Sequence, residues 1–150
     1  MRPLLLLLAL LTASCTTGPS EEQQAITADL ATILAGDRLQ LHHVDPTGGQ
    51  PDVPNLAGYP ILATVDVPDP ATLQQPLDDG LLPREDVAKF CLFEPRHAVT
   101  SDAGYLLICF TCSDAKLKVG EVSRNTFVAD ALRVPLDDLL GIADVPLRSR

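Results

Sequence analysis

The amino-acid sequence predicts an α+β domain, with a small, mostly antiparallel sheet flanked by short helices and preceded by an N-terminal helix. Hydrophobic residues recur at helical spacing between residues 26 and 34. After residue 89, two runs rich in β-forming residues are separated by a short turn at residues 101–104. The chain has 150 residues, of which 46% are hydrophobic, so it is long enough to bury the core of one domain. We expect this single domain to occupy residues 21–150.

The first residues have the pattern of a bacterial export signal. An unbroken apolar run at residues 4–11 would span about 12 Å as a helix, far less than the roughly 30 Å of a bilayer core. The run has the length of a signal-peptide core, which predicts a lipoprotein signal peptide at residues 1–14. Small residues then precede Cys15. This resembles the lipobox of bacterial lipoproteins and predicts lipidation of the Cys15 sulfur, with a tether at residues 15–20. The alternative is an ordinary secretory signal and a secreted protein.

Acidic residues dominate the charge of the chain. It carries 20 Asp and Glu against 11 Lys and Arg, a formal net charge of -9. This balance argues against a protein that binds the phosphate backbone of a nucleic acid, and it disfavours attachment to anionic lipid by charge alone. We therefore expect the acylated N-terminus to make the contact with the lipid bilayer. The predicted location is the cell envelope, on the outer-membrane or periplasmic side in a Gram-negative host, because Thr16 rather than Asp follows the cysteine.

The first half of the chain predicts one helix and two strands around a loop. Ser20 and Gln23 form a capping-box pattern before the apolar repeat. Weak alternation and a run of β-branched residues predict the strands, and a stretch rich in proline and glycine separates them. The predicted elements are a helix at 21–35, a strand at 39–44, a flexible loop at 45–60 and a strand at 61–67.

The second half predicts a short helix, a three-stranded meander and a closing helix. Leucines spaced by four after Pro70 predict the first helix, and Ser-Asp-Ala-Gly at residues 101–104 predicts the turn of a hairpin. A third alternating segment completes an antiparallel C-terminal meander. The strands are predicted at 89–100, 105–112 and 116–119, and the last helix at 135–140, closed by Gly141.

The predicted hairpin carries a Cys/His cluster with metal-ligand character. Cys91, His97, Cys109 and Cys112 have the spacing C-x5-H-x11-C-x2-C. If the turn centres at residues 102–103, the numbers of residues paired across the hairpin sum to about 203–206. This register places Cys91 near Cys112 and His97 near Cys109, at one end of the sheet.

Three interpretations of this cluster stay open. All four residues could form a tetrahedral zinc site of three thiolates and one imidazole, with zinc as the cofactor. An oxidising compartment instead favours a disulfide among Cys91, Cys109 and Cys112, which leaves one of the three unpaired once Cys15 is lipidated. In the third interpretation Cys109 and Cys112 form a redox-active C-x-x-C pair. The strand pattern around that pair, however, lacks the helix N-terminus that lowers the pKa of such thiols.

Other polar residues have simpler interpretations. His42 and His43 point to opposite faces of a strand, so joint metal binding is disfavoured and solvent-facing positions are expected. The acid pair Asp137 and Asp138 is expected on a solvated helix face. The chain has no G-x-S-x-G, Walker or G-x-G-x-x-G motif, so an enzyme is the less favoured class. The sequence predicts a lipid-anchored binding or structural module outside the cytoplasm, with a zinc-binding or thiol-redox protein as the alternative.

Two motifs resemble those of a family of uncharacterised bacterial proteins. FEPRHAV at residues 93–99 and LLICFTC at residues 106–112 are similar to the family's C-[FY]-x-P-[RH]-H and I-C-F-x-C motifs. Weaker matches at 58–62, 141–142 and 146–147 extend the similarity over residues 58–147. The family's first cysteine aligns with Leu92, whereas this chain has Cys91 one place earlier. The resemblance implies no activity, and it implies that the family's signature positions are occupied by Pro95, Arg96, His97, Cys109 and Cys112.

Overall fold

An eight-stranded antiparallel sheet carries the helices in the computed structural model, which describes residues 18–48, 52–83 and 90–141. The predicted signal peptide and Cys15 lie outside the described residues. The chain order of the elements is α1 (Glu21–Ala35), β1 (Gln40–Val44), β2 (Asn55–Leu56), β3 (Tyr59–Asp66), α2 (Ala71–Gly80), β4 (Leu81–Leu82), β5 (His97–Ser101), β6 (Gly104–Cys109), β7 (Asp114–Val119), β8 (Val122–Val128), a 3-10 turn (Asp130–Leu132) and α3 (Arg133–Leu140).

The N-terminal helix α1 has the predicted bounds and the predicted cap. The Ser20 hydroxyl accepts a hydrogen bond from the backbone N–H of Gln23 at 3.1 Å, which satisfies one of the free donors at the helix start. The apolar repeat forms the buried face of the helix, and that face packs against β5, β6 and β7. The buried residues of α1 are Ile26, Leu30, Ile33 and Leu34. No helix of the described residues is long and apolar enough to span a bilayer.

The sheet is larger than the predicted three-stranded meander. The strand order is β2-β3-β1-β5-β6-β7-β8-β4, so β5 to β8 form a meander of four strands and β1 and β3 extend it on the other side. The α+β class is confirmed, and the three-stranded sheet is wrong. The missed strand β8 has Ser, Arg and Asn at consecutive central positions and only two buried residues, which conceals the hydrophobic alternation of a strand.

Several element boundaries also differ from the prediction. Strand β3 begins at Tyr59, inside the predicted loop, where it pairs with the two-residue β2. The strand predicted from residue 89 begins only at His97. Pro95 has no N–H for a ladder hydrogen bond, so the residues just before the strand run as irregular chain along the sheet. The C-terminal helix α3 ends as predicted at Gly141, whose positive φ of 65° is the left-handed conformation of a helix C-cap.

Two hydrophobic clusters cover the two faces of the sheet. The larger one lies between the sheet and the helices, and its sheet residues include Leu41, Val99 and Ile108. The smaller cluster contains Val44, Ala98 and Leu107 on the opposite face. Because successive strand residues point to opposite faces, this division fixes which residues of the Cys/His cluster can meet.

Candidate functional site

A disulfide joins Cys91 to Cys112, with Cα atoms 5.7 Å apart and a sequence separation of 21. The hairpin register brings these residues together. Paired residues of β5 and β6 have numbers that sum to 205, and Cys91 and Cys112 lie in the segments that continue beyond the paired ends of these two strands. Cys109 keeps a free, buried thiol. Its sulfur lies 3.4 Å from the backbone N–H of Glu94, which donates to it. The structure therefore has the disulfide between the outer two cysteines.

His97 does not join Cys109. In the ladder His97 pairs with Ile108, and its side chain lies on the helix-covered face with that residue. Cys109 is the next residue along β6, so strand alternation turns it to the opposite face. Among the described residues, no group of three or more His, Cys, Asp or Glu side chains is arranged to hold a metal ion. The four residues of the predicted zinc cluster are thus distributed over two faces of the sheet.

The disulfide is one of several contacts that hold residues 91–96 against the sheet. The hydroxyl of Tyr59 donates to the carbonyl oxygen of Phe93 at 3.5 Å. The Lys116 ammonium lies 4.0 Å from the centroid of the Phe93 ring, a cation–π contact. At the end of the segment the Arg96 N–H donates to the carbonyl of Ile108 at 3.1 Å. An irregular segment is thereby given a defined position, which is what a binding residue on a loop requires.

His97 instead pairs with an acid from the C-terminal helix. Its Nε2 lies 2.7 Å from Asp137 Oδ1, and both side chains are almost fully buried, with His97 3% and Asp137 5% exposed. The expectation of a solvated Asp137 is therefore wrong, because α3 packs against the sheet on the side that carries His97. Burial lowers the pKa of His97, and the hydrogen bond to Asp137 opposes this effect. The ring also meets Phe110 edge-on, with centroids 5.4 Å apart.

The two neighbouring histidines of β1 have different environments. His42 is only 4% exposed, and its two ring nitrogens each lie 2.8 Å from a threonine hydroxyl, those of Thr64 and Thr100. His43 points to the other face and is half-buried, with its ring centroid 6.3 Å from that of His97. The expectation that both face solvent is wrong, because β1 is an interior strand with β3 on one side and β5 on the other.

His43 also lines a cleft of about 210 Å³ at this end of the sheet. The cleft is lined by residues of β1, the loop after it, β3 and the two motifs at residues 93–99 and 106–112. The Asp45 carboxylate accepts hydrogen bonds from the backbone N–H and the hydroxyl of Thr47, at 2.9 and 2.7 Å. Burial is the main cause of a lowered pKa at His43. Arg96 lowers that pKa further, whereas Asp137 and Asp45 raise it. The lining residues are His43, Asp45, Pro46, Thr47, Leu62, Glu94, Arg96 and Thr111.

The sequence indicated only part of this site. Glu94, Arg96 and Thr111 belong to the two motifs that carry the family resemblance. His43 and Asp137 are expected from the sequence to face solvent. Their environments were not predictable, because the pairing of β1 with β5 and the packing of α3 join residues far apart in the chain. The signal that could have found His43 is its alternation with the apolar Leu41 on one face of β1, because a polar residue on a buried face needs a partner.

No protein-family model, curated protein or solved structure matches this chain. The family resemblance stays a prediction, and the function is argued from the site alone.

Proposed function

We propose that this protein is a lipid-anchored binding module of the bacterial cell envelope, and that the cleft beside His43 binds a small polar ligand. The observation that carries the proposal is the construction of the cleft. Glu94 and Arg96 lie on an irregular segment that a disulfide, a tyrosine hydrogen bond and a cation–π contact all hold in place. Such reinforcement of a surface segment preorganises its side chains, which lowers the entropic cost of binding.

The lining of the cleft indicates the character of the ligand. Its volume of about 210 Å³ is below that of a pocket for a drug-sized molecule, so the ligand is small. Arg96 offers a planar fork of donors for a carboxylate, and Glu94 and Asp45 add negative charge to the same cleft. A molecule with both an acidic and a basic or hydroxyl group would complement this mixture better than a simple anion.

The envelope location is supported by two independent features of the chain. Disulfides persist in oxidising compartments and are rare in the cytosol, and this chain has a disulfide between Cys91 and Cys112. The apolar run at residues 4–11 followed by Cys15 has the pattern of a lipoprotein leader. An acylated Cys15 would hold an acidic body at the membrane, the outer one in a Gram-negative host, without any electrostatic attraction to the lipid.

Cell fractionation tests the anchor. The full-length protein should sediment with membranes and be extracted by detergent, whereas Cys15→Ala should lose its acyl chains and leave the membrane fraction. Cys109→Ala is the matched control, because it removes another cysteine without touching the leader. Unchanged membrane association of Cys15→Ala would contradict the anchor, and a soluble exported wild-type protein would establish the secreted alternative.

Ligand binding is tested by NMR with panels of amino acids, dicarboxylates and small sugars. A bound ligand should shift the backbone amide resonances of Glu94, Arg96 and Thr111. Arg96→Ala should weaken binding at least tenfold, or about 1.4 kcal/mol. Lys118→Ala makes the same charge change outside the cleft and should have no effect. Binding that maps elsewhere, equal affinity of the two variants, or no binding from any panel would contradict the assignment of the cleft.

A further inference from the structure

We infer that His43 and His97 together bind one monovalent copper ion between their rings, in a two-coordinate site behind the cleft. This site shares His43 with the lining of the cleft, and its argument does not depend on which ligand the cleft binds. It uses neither the disulfide nor the free thiol of Cys109, and it differs from the predicted cysteine cluster in all residues but His97.

The two histidines are direct neighbours across the sheet. Their strands β1 and β5 are antiparallel, and His43 stands opposite His97 in the ladder. The next pair along, Val44 and Arg96, makes a ladder hydrogen bond from the Val44 N–H to the Arg96 carbonyl at 2.9 Å. His43 and His97 are therefore a non-hydrogen-bonded pair, the kind whose side chains approach most closely.

Each ring also has one nitrogen that lacks a partner. His43 Nε2 and His97 Nδ1 are buried and have no hydrogen bond to any described residue. Unpaired polar atoms are uncommon in protein interiors, and an ion or a water molecule is the usual explanation. Two such atoms on side chains that are neighbours across the ladder are explained together by one shared occupant.

The other nitrogen of His97 is arranged as it is in many metal sites. A metal-binding histidine commonly donates its second N–H to a carboxylate, which fixes the tautomer and orients the ring. His97 Nε2 makes this contact with Asp137 at 2.7 Å, and that leaves the Nδ1 lone pair for a ligand. Phe110 packs edge-on against the same ring and supplies an apolar wall.

The separation of the rings selects the coordination geometry. With metal–nitrogen bonds of about 2.0 Å and about 1.1 Å from each nitrogen to its ring centroid, two imidazoles on opposite sides of one ion have centroids about 6.2 Å apart. The tetrahedral angle of zinc would bring the same centroids to about 5 Å. The observed centroid distance of 6.3 Å is compatible with the linear arrangement, whereas the tetrahedral arrangement would require the centroids to approach by about 1 Å.

The surrounding residues agree with an ion of low charge and low coordination number. No described residue supplies a third His, Cys, Asp or Glu ligand, which disfavours zinc, because zinc takes four. Arg96 and Arg133 act on the two rings as positive charges, and Asp45 and Asp137 act on them as negative charges. The site thus has no excess of carboxylates to neutralise a divalent ion. Closed-shell monovalent copper accepts two collinear nitrogen ligands, and imidazole is among the ligands that copper prefers.

Anaerobic competition against a coloured copper(I)–bicinchoninate complex tests the site on the purified, disulfide-intact full chain. The measurements are made with Cys15→Ala and Cys109→Ala combined, so that neither of the two cysteines outside the disulfide competes for copper. This protein should remove one equivalent of copper from the complex. Adding His43→Gln should weaken copper binding about 100-fold or more, and Asp137→Asn, which alters the orienting carboxylate, about 10-fold.

His42→Gln is the matched control. It removes a neighbouring histidine whose two nitrogens are already hydrogen-bonded, so copper affinity should stay unchanged. X-ray absorption of the copper-loaded protein should give two nitrogen ligands and no sulfur, a readout that does not depend on the folding of the His43, His42 or Asp137 variants. Failure to remove copper from the complex, equal affinity after His43→Gln, or a shell of three or four ligands would each overturn the inference. A water molecule shared by the two rings is the explanation that would then replace it.

Discussion

The Cys91–Cys112 disulfide should supply a large part of the stability of the fold. Replacing both cysteines with alanine removes the cross-link and adds no polar group to the buried position of Cys112. A disulfide restricts the unfolded chain, and the size of this effect grows with the length of the closed loop. For cysteines with a sequence separation of 21, loop-closure entropy corresponds to about 3 kcal/mol at 25 °C. A domain of this size has only about 5–15 kcal/mol of stability in all.

Equilibrium unfolding in urea measures this loss. The Cys91→Ala/Cys112→Ala variant should unfold at lower urea concentration, with a free energy of unfolding about 3 kcal/mol below that of the wild type. Cys109→Ala is the control, because it removes a buried sulfur from the same arm of the hairpin as Cys112 and keeps the cross-link. It should lower the free energy of unfolding by about 1 kcal/mol, as a small change in the core usually does.

The same pair of variants separates a global effect from a local one. Without the disulfide, residues 91–96 keep the Tyr59 hydrogen bond and the Arg96 ladder contact. We expect the Arg96 amide, whose acceptor at Ile108 is kept in both variants, to exchange with solvent faster in the double variant, while the exchange rates of amides in β6 and β7 change only with global stability. A loss of less than about 1 kcal/mol, or one equal to that of Cys109→Ala, would refute the loop-entropy reasoning.

Three further perturbations test the core, the helix cap and the buried acid, and a fourth tests pH. Ile33→Ala empties a fully buried position on α1 and should lower the free energy of unfolding by about 2–5 kcal/mol in urea. Ser20→Ala should cost about 1 kcal/mol by thermal unfolding, because it removes the cap of α1; Ser20→Asn should restore the cap. Asp137→Ala leaves the His97 N–H buried without its acceptor and should cost about 1–3 kcal/mol, so an unchanged midpoint would contradict the pair. Burial lowers the pKa of His42, so on acidification the unfolded chain binds a proton at this histidine before the folded chain does. The free energy of unfolding should therefore be highest above about pH 6.5 and fall below it, and a free energy of unfolding that does not change with pH in this range would contradict the prediction.

Features with local signals were predictable from the sequence. Helix α1 has a cap at Ser20, an apolar repeat and Gly36 beyond its end, and all of these signals fall within one short stretch of chain. The hairpin of β5 and β6 has its turn between Ser101 and Gly104 and a register that follows from that turn. Counting residues outward from the turn is therefore enough to predict that Cys91 lies near Cys112.

Features that depend on distant contacts were not predictable in the same way. Strand β1 lies between β3 and β5, and nothing within residues 40–44 indicates that both edges are paired. Strand β4 has only two residues, which pair with the end of β8 directly after a helix. Asp137 looks like any acid of a short amphipathic helix, and only the packing of α3 makes it a partner for a histidine 40 positions earlier. Periodicity describes one segment at a time, and it cannot report such pairings.

The alternation of side chains along β5 and β6 explains why one cluster in the sequence becomes two sites in the fold. The disulfide needs only that the segment before β5 and the segment after β6 approach each other. Pro95 allows this, because it ends the ladder before Cys91 is reached. His97 lies within the ladder, where pleating gives it the face of Ile108 and the helices, while Cys109 takes the other face. The disulfide beyond the strands therefore holds the segment 91–96, which lines the cleft. His97, inside the ladder, instead contacts residues of β1 and α3. A register shift of one residue would exchange these roles, so the position of the turn at residues 101–104 determines which chemistry each residue can perform.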